Sequence, residues 1–261
     1  MEGRKNWRLC IQDIDDDISD KVIVRVQGVL TKNNLVPKNA RSCPASKAHF
    51  LAQSAEICGL RTGTFDASMA NLSAVDQRFS EFLAGTDILG SSNESRRPGG
   101  VFQASNRVFT LRSDVPTEQD NAFQDGVDPM GAMARLKTGD LIHAPENIVK
   151  YFKRTHDSET KQVTVVKYEQ HVPGGFHTGD IVEMQISFVA VTTGPNKVKI
   201  TTRLQALTLL QNCYAKAALR RAESARIPIV NPAMRRKVGY FLQDDEDERK
   251  VKKSRSKSPE Q

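Results

Sequence analysis

Aromatic residues are scarce in this chain: 11 Phe, 4 Tyr and 1 Trp among 261 residues. That thin supply limits both core volume and any surface on which bases could stack. No run of about 18 apolar residues occurs, so no transmembrane helix is expected. The opening residues 1–8 hold no apolar signal core and soon turn acidic, so secretion is not expected. The four cysteines, Cys10, Cys43, Cys58 and Cys213, form no C-x-x-C pair, which points to a reducing compartment with buried or inert thiols. Gly99-Gly100 and Gly174-Gly175 are not followed by Lys-Ser/Thr and open no helix after a strand, so they read as turn glycines and not as a phosphate loop.

Catalytic and metal signatures are missing as well. There is no Gly-x-Ser-x-Gly elbow, and no cysteine lies in a protease pattern. The acidic run Asp13, Asp15, Asp16, Asp17 lacks the glycine and the distal glutamate of an EF-hand loop. His143, His156, His171 and His177 fall within 35 residues, with Asp157 and Asp180 nearby. Their spacing matches no common helix-based site, so no metal and no cofactor is expected. No residue is assigned a catalytic role, and the chain reads more readily as a binding protein than as an enzyme.

Positive charge is abundant but uneven. The whole chain carries +7. The first 20 residues carry −3 and residues 244–261 are neutral, which leaves +10 on residues 21–243. A basic body between acid-bearing flanks suits a polyanionic partner, whose non-specific binding the flanks restrain. A mean hydropathy of −0.48 adds that part of the chain is solvated loop or tail.

Periodicity divides the chain into four stretches. Residues 1–84 carry a strand over 21–30, with Val22, Val24 and Val26 on one side and a turn at 31–34. They continue with a short helix over 42–58, where Ala48, Leu51, Ala52 and Ala55 share a face, and a second helix over 71–83. Residues 85–131 are rich in Gly, Ser, Asn, Asp and Pro and read as a loop-rich insertion, with one short strand at 108–112. Residues 132–243 form a strand-rich core with strands at 148–152, 162–168, 180–191 and 197–209, then a basic helix over 212–225 with Tyr214, Ala217, Ala218 and Ala222 on one face. Residues 244–261 lose apolar periodicity and read as a disordered charged tail.

The clearest signal is the hairpin 180–209. In its second strand Val198, Ile200, Thr202, Leu204 and Ala206 alternate with Lys197, Lys199, Thr201, Arg203 and Gln205. That period of two describes a half-buried antiparallel strand with a basic outer face. Both strands exceed the usual length, as strands that coil into a small closed barrel do. Residues 178–211 resemble a strand pair of single-stranded-DNA-binding OB-fold proteins. The matching residues are the Gly-Asp-led strand 179–188 and the Leu-x-Ala-Leu ending at 204–207. The wider stretch 128–214, with Gly179-Asp-Ile-Val-Glu-Met-Gln185, resembles a high-copy family of uncharacterised proteins of mushroom-forming fungi, which supplies no active site. The resulting expectation is an α+β fold: an OB-like antiparallel β-barrel with a few helices, the alternatives being a β-sandwich or a jelly roll.

The function that follows is sequence-tolerant binding of nucleic acid, most readily single-stranded DNA, by a basic strand face. The alternative is a structural or protein-interaction module that meets an acidic protein. Counterion release falls to Lys197, Lys199, Arg203, Lys216 and Arg220, and stacking to Tyr151 and Tyr168. Phe152 and Phe188 are further aromatic candidates, though core packing competes for each. Arg249, Lys250, Lys252, Lys253, Arg255 and Lys257 put six bases in nine residues, the composition of a nuclear import signal. The expected location is the nucleus.

Overall fold

The computed structural model of the chain describes residues 6–12, 19–36, 45–89, 99–115, 117–137, 139–157 and 165–225. The opening strands are β1 (Asn6–Arg8), β2 (Cys10–Gln12), β3 (Ser19–Lys21) and β4 (Val24–Asn34). Then come β5 (Ala52–Cys58), α1 (Gly63–Phe82), β6 (Asp87–Leu89), β7 (Val101–Arg107) and β8 (Thr110–Leu111). The second half holds α2 (Ala132–Leu136), β9 (Leu141–Ile142), β10 (Lys150–Asp157), β11 (Val165–Gln170), β12 (Ile181–Gly194), β13 (Lys197–Gln211) and α3 (Cys213–Ser224). The chain forms two compact units, Met1–Arg221 and Ala222–Gln261, and the described part of the second is residues 222–225. The protein is mostly β with few helices. Among the described residues no helix is long and apolar enough to cross a membrane.

Nine strands form one sheet, in the order β1-β12-β4-β5-β7-β13-β10-β11, with β6 beside β13. Because β12 also pairs with β13, the strands β4, β5, β7, β13 and β12 close into a ring. The expected all-antiparallel pairing is corrected here, because the sheet is mixed. β13 runs parallel to β6, β7 and β10. The reason is topological: β7 and β13 are separated by a long crossover, and only strands joined by a tight turn are forced to run antiparallel. The parallel seam of the ring is narrow, with one register pair, Arg203 with Ser105.

The interior is filled by alternate residues of the ring strands. Val26 and Leu30, Ala55 and Ile57, Phe102 and Ala104, Met184, Ile186 and Phe188, and Val198, Ile200 and Leu204 are all buried. Each large side chain of this set contributes about 1.5–3 kcal/mol by leaving water. α1 buries Phe65, Met69, Leu72 and Phe79, one face at helical spacing. Its first turn lies so close to the end of β5 that a Cβ on Gly59 would stand 2.1 Å from Cγ of Phe65, so only glycine fits there.

Three ring strands run through segments read differently from sequence. Residues 31–34, expected as a turn, continue β4, because Lys32, Asn33 and Asn34 pair with Glu56, Ala55 and Ser54 of β5. Residues 52–58, expected to finish a helix, form β5. Gln53, Ala55 and Ile57 point inward, and β4 and β7 flank them on both sides. Residues 101–107, expected to be irregular, form β7, with Phe102, Ala104 and Asn106 inward. In β13 the alternation holds to Leu204 and then changes phase. A register shift opposite Gln185 and Ile186 lets Leu207 and Leu209 point inward and turns Ala206 outward. In α3 the buried residue is Ala215, whereas Tyr214 is 66% exposed.

Candidate nucleic-acid interface

Strands β11, β10, β13, β12 and β4 are consecutive neighbours, and their register sets two rows of side chains on one face. Lys150 pairs with Ala206, Ala206 with Gln185, and Gln185 with Arg25. One step along, Phe152 pairs with Gln170 and Thr208, Thr208 with Glu183, and Glu183 with Gln27. Paired residues share a face. The first row spans three strand steps, about 14 Å from Lys150 to Arg25. Tyr168 stands opposite Arg154 and diagonal to Phe152.

These rows line a groove of about 660 Å³. Its floor is made by the small buried residues Ala206 and Thr208. Pro145 and Ile148 form a wall, Tyr168 and the half-buried Phe152 supply aromatic faces, and Arg25 and Lys150 bring exposed cations. Amide groups of Gln185 and Gln205 also reach it. Glu183 is nearly buried, and the Gln27 amide donates to its Oε2 at 2.8 Å. Chemically, the groove offers π-faces, two positive charges and several neutral or acidic hydrogen-bonding groups.

A buried polar chain fixes the wall. The Tyr151 hydroxyl donates to Oε1 of Gln53, and Nε2 of Gln53 donates to the Asn147 carbonyl at 3.3 Å. Oδ1 of Asn147 accepts from the Ala144 amide at 2.9 Å and from the Thr110 hydroxyl at 3.1 Å. Asn106 donates through Nδ2 to the carbonyls of Glu146, at 2.8 Å, and Leu204, at 3.1 Å. Residues 145–147 are thereby held rigidly over β13.

The residues expected to bind are distributed unevenly. Tyr168 is 55% exposed and lines the groove. Tyr151 does not stack on any ligand: it is 2% exposed in the core, and burial pushes its phenol pKa well up. Strand alternation is the reason, since it sends Lys150 and Phe152 out and Tyr151 in. Phe188 is fully buried too. Lys197 and Lys199 are exposed at the far end of β13, about 30 Å and 23 Å from Ala206 at about 3.3 Å per residue. Arg203 lies between them and the groove and turns toward Glu146. Lys216 and Arg220 are exposed on α3. The run from Arg249 to Lys257 lies outside the described residues.

Arg25 and Lys150 are the groove cations not foreseen, and Glu183, Gln185 and Gln205 are its unforeseen hydrogen-bonding groups. The alternation of Lys150, Phe152 and Arg154 against Tyr151 and Lys153 is the signal that marks one of them. Among the histidines, His143 is buried, and its Nδ1–H donates to the Val108 carbonyl at 2.8 Å. The His177 ring stands 4.0 Å from Oδ2 of Asp180. Among the described residues no group of three or more His, Cys, Asp and Glu side chains is placed to hold a metal ion.

No protein-family model matches the chain, and no curated protein matches it. Among solved structures, the chain is similar to gp2.5, a single-stranded DNA binding protein encoded by bacteriophage T7. The TM-score is 0.37 and the identity 14%, over 73% of this chain and 92% of that one. The resemblance to the fungal proteins finds no support in these comparisons.

Proposed function

We propose that the protein binds single-stranded nucleic acid with little sequence preference, that single-stranded DNA is its first partner, and that the five-strand ring is an OB-like barrel carrying the site. The reading rests on one observation: Tyr168 and Phe152 share a sheet face with Lys150 and Arg25 around the groove. Every base has a π-face, so aromatic platforms hold strands regardless of sequence. Cations beside them neutralise phosphates and release counterions. Gln185, Gln205 and Glu183 line the same groove and suit the hydrogen-bonding edges of bases. A duplex keeps its bases stacked inside and cannot use Tyr168 or Phe152 in this way. The tail from Arg249 to Lys257 would carry the protein to the nucleus.

The test is anisotropy of a labelled oligothymidylate across a salt series. In R25Q/K150Q the slope of log K against log salt should shrink by about 1.4, at about 0.7 per single-strand phosphate contact. Unlabelled single strand should compete and duplex should not. An unchanged slope in the folded double variant, or equal competition by duplex, would refute the assignment. No binding at low salt would favour the protein-interaction module instead.

A further inference from the structure

Among the described residues, a dense cluster of charge outside the groove lies at Glu146. Nη1 of Arg8 is 2.8 Å from its Oε1, and Nζ of Lys21 is 2.9 Å from both carboxylate oxygens. Nη1 of Arg203 is 4.0 Å from Oε2. Arg107 lies near enough to Arg203 to repel it, as Arg8 does. Three cations therefore surround one carboxylate, which leaves two positive charges over, and Arg107, two residues along β7 from the Ser105 that pairs with Arg203, adds a fourth cation beside Arg203.

Chain segments far apart in sequence build this cluster. Arg8 comes from β1, Lys21 from β3, Arg107 from the end of β7 and Arg203 from the outward side of β13. Glu146 is carried by the turn at 145–147, whose carbonyl Asn106 clamps at 2.8 Å. Burial raises the Glu146 carboxyl pKa, but the Lys21 hydrogen bond and then the charges of Arg8, Lys21 and Arg203 outweigh it, so the group is held below its ordinary value and stays ionised. The ion pairs are partly exposed, with side chains at 36% for Arg8, 24% for Lys21, 26% for Arg203 and 23% for Glu146. Solvent and ligand can therefore reach the cations.

We infer that this cluster is a phosphate-binding subsite continuous with the groove, in which Glu146 pre-orients Arg8, Lys21 and Arg203 and limits their affinity for phosphate, while Arg107 adds a cation beside Arg203. Pro145, next to Glu146, lines the groove, and Gln205 of the groove lies two residues along β13 from Arg203. A strand leaving the groove over Pro145 would place its next phosphates among the four cations. This inference rests on the nucleic-acid reading for its ligand. A cluster that only pinned β1 and β3 to the turn would need no further cations, because Lys21 and Arg8 already outweigh the one carboxylate.

Three proteins decide the matter: wild type, E146Q, and the double variant R8Q/R107Q, each confirmed folded by circular dichroism. Oligothymidylate binding is read over a salt series, and inorganic pyrophosphate binding by calorimetry. E146Q should bind the oligonucleotide about fourfold more tightly, the effect of removing one unit charge about 5 Å from a phosphate in water. R8Q/R107Q should lower the salt slope by about 1.4. A purely structural cluster predicts weaker or unchanged binding in E146Q and an unchanged slope in R8Q/R107Q. Either result overturns the subsite, while R25Q/K150Q still reports on the groove. If wild type binds no oligonucleotide, the function proposed above fails. Pyrophosphate bound by wild type and lost in R8Q/R107Q would then keep the anion site, and no pyrophosphate binding would overturn it.

Discussion

Tyr151 and Tyr168 are the same residue type on neighbouring strands, and the fold gives them opposite work. Tyr168→Ala removes a side chain that is 55% exposed on the outer strand β11. Its effect on stability should stay below about 1 kcal/mol, the full span of strand propensity. Its effect on binding should be larger. Stacking contributes about 1–3 kcal/mol per base, so affinity for oligothymidylate should fall about 5- to 150-fold. The salt slope should not change, because no charge is removed. Tyr168→Phe should restore most of the affinity, because it keeps the ring. Tyr151→Phe should do the reverse. It deletes the hydroxyl that donates to Gln53 and leaves a buried acceptor unpaired, at about 1–3 kcal/mol of stability. Melting should drop by about 2–4 °C per kcal/mol for a chain of this size. Binding by the folded fraction should change far less than in Tyr168→Ala, because Asn106 still clamps the turn at 145–147. Anisotropy titrations at two salt concentrations, paired with thermal melts, separate the two effects. Affinity within twofold of wild type in Tyr168→Ala would refute the stacking role, and an affinity loss in folded Tyr151→Phe as large as that in Tyr168→Ala would refute the contrast between the two tyrosines.

Two more outcomes follow from the chemistry already described. Burial is the largest influence on His143 and lowers its pKa; Lys137 adds to this, while the Val108 carbonyl and Asp120 oppose it. The folded protein then binds fewer protons than the unfolded chain below about pH 6.5, so stability should decline as pH falls from about 6.5 toward the depressed folded value. Imidazole NMR should place the His143 titration midpoint below the ordinary value of about 6.5, and a midpoint at or above it would contradict this. For the tail, a fluorescent fusion too large for passive diffusion should lose nuclear enrichment when residues 249–257 are deleted; unchanged enrichment would sink the import role.

The long hairpin was legible because its pattern is local. Lys197 to Leu204 alternate cleanly, and Pro195 followed by Asn196, which takes a positive φ of 53°, is a turn signal on its own terms. The first part of β4, the helix α3 and the helical spacing within α1 were readable for the same reason, but not the end of β4 at residues 31–34, which β5 holds in the sheet. β5 was not. Ala48, Leu51, Ala52 and Ala55 satisfy a helical face, while Gln53, Ala55 and Ile57 satisfy a strand face, and the segment alone does not choose. β4 and β7 choose, by offering hydrogen-bonding partners on both edges. β7 was hidden by its own polarity. Asn106 looks like a loop residue until the carbonyls of Glu146 and Leu204 accept its two amide hydrogens, which makes its burial tolerable.

The binding face shows the same division more sharply. A basic body and a short supply of aromatics are properties of composition, and they pointed toward a polyanion without any fold. Which bases and which rings act together is a matter of register between strands far apart in the chain. Arg25 meets Gln185, Gln185 meets Ala206, and Ala206 meets Lys150, so one row joins residues 25, 150, 185 and 206. No window of the sequence contains that row. The phase of each strand is set by a register shift at β12–β13 and by which face the core claims, so Tyr151 went inward and Lys150 and Phe152 outward. Local alternation tells that two faces exist, and only long-range pairing tells which one meets water and what stands beside it.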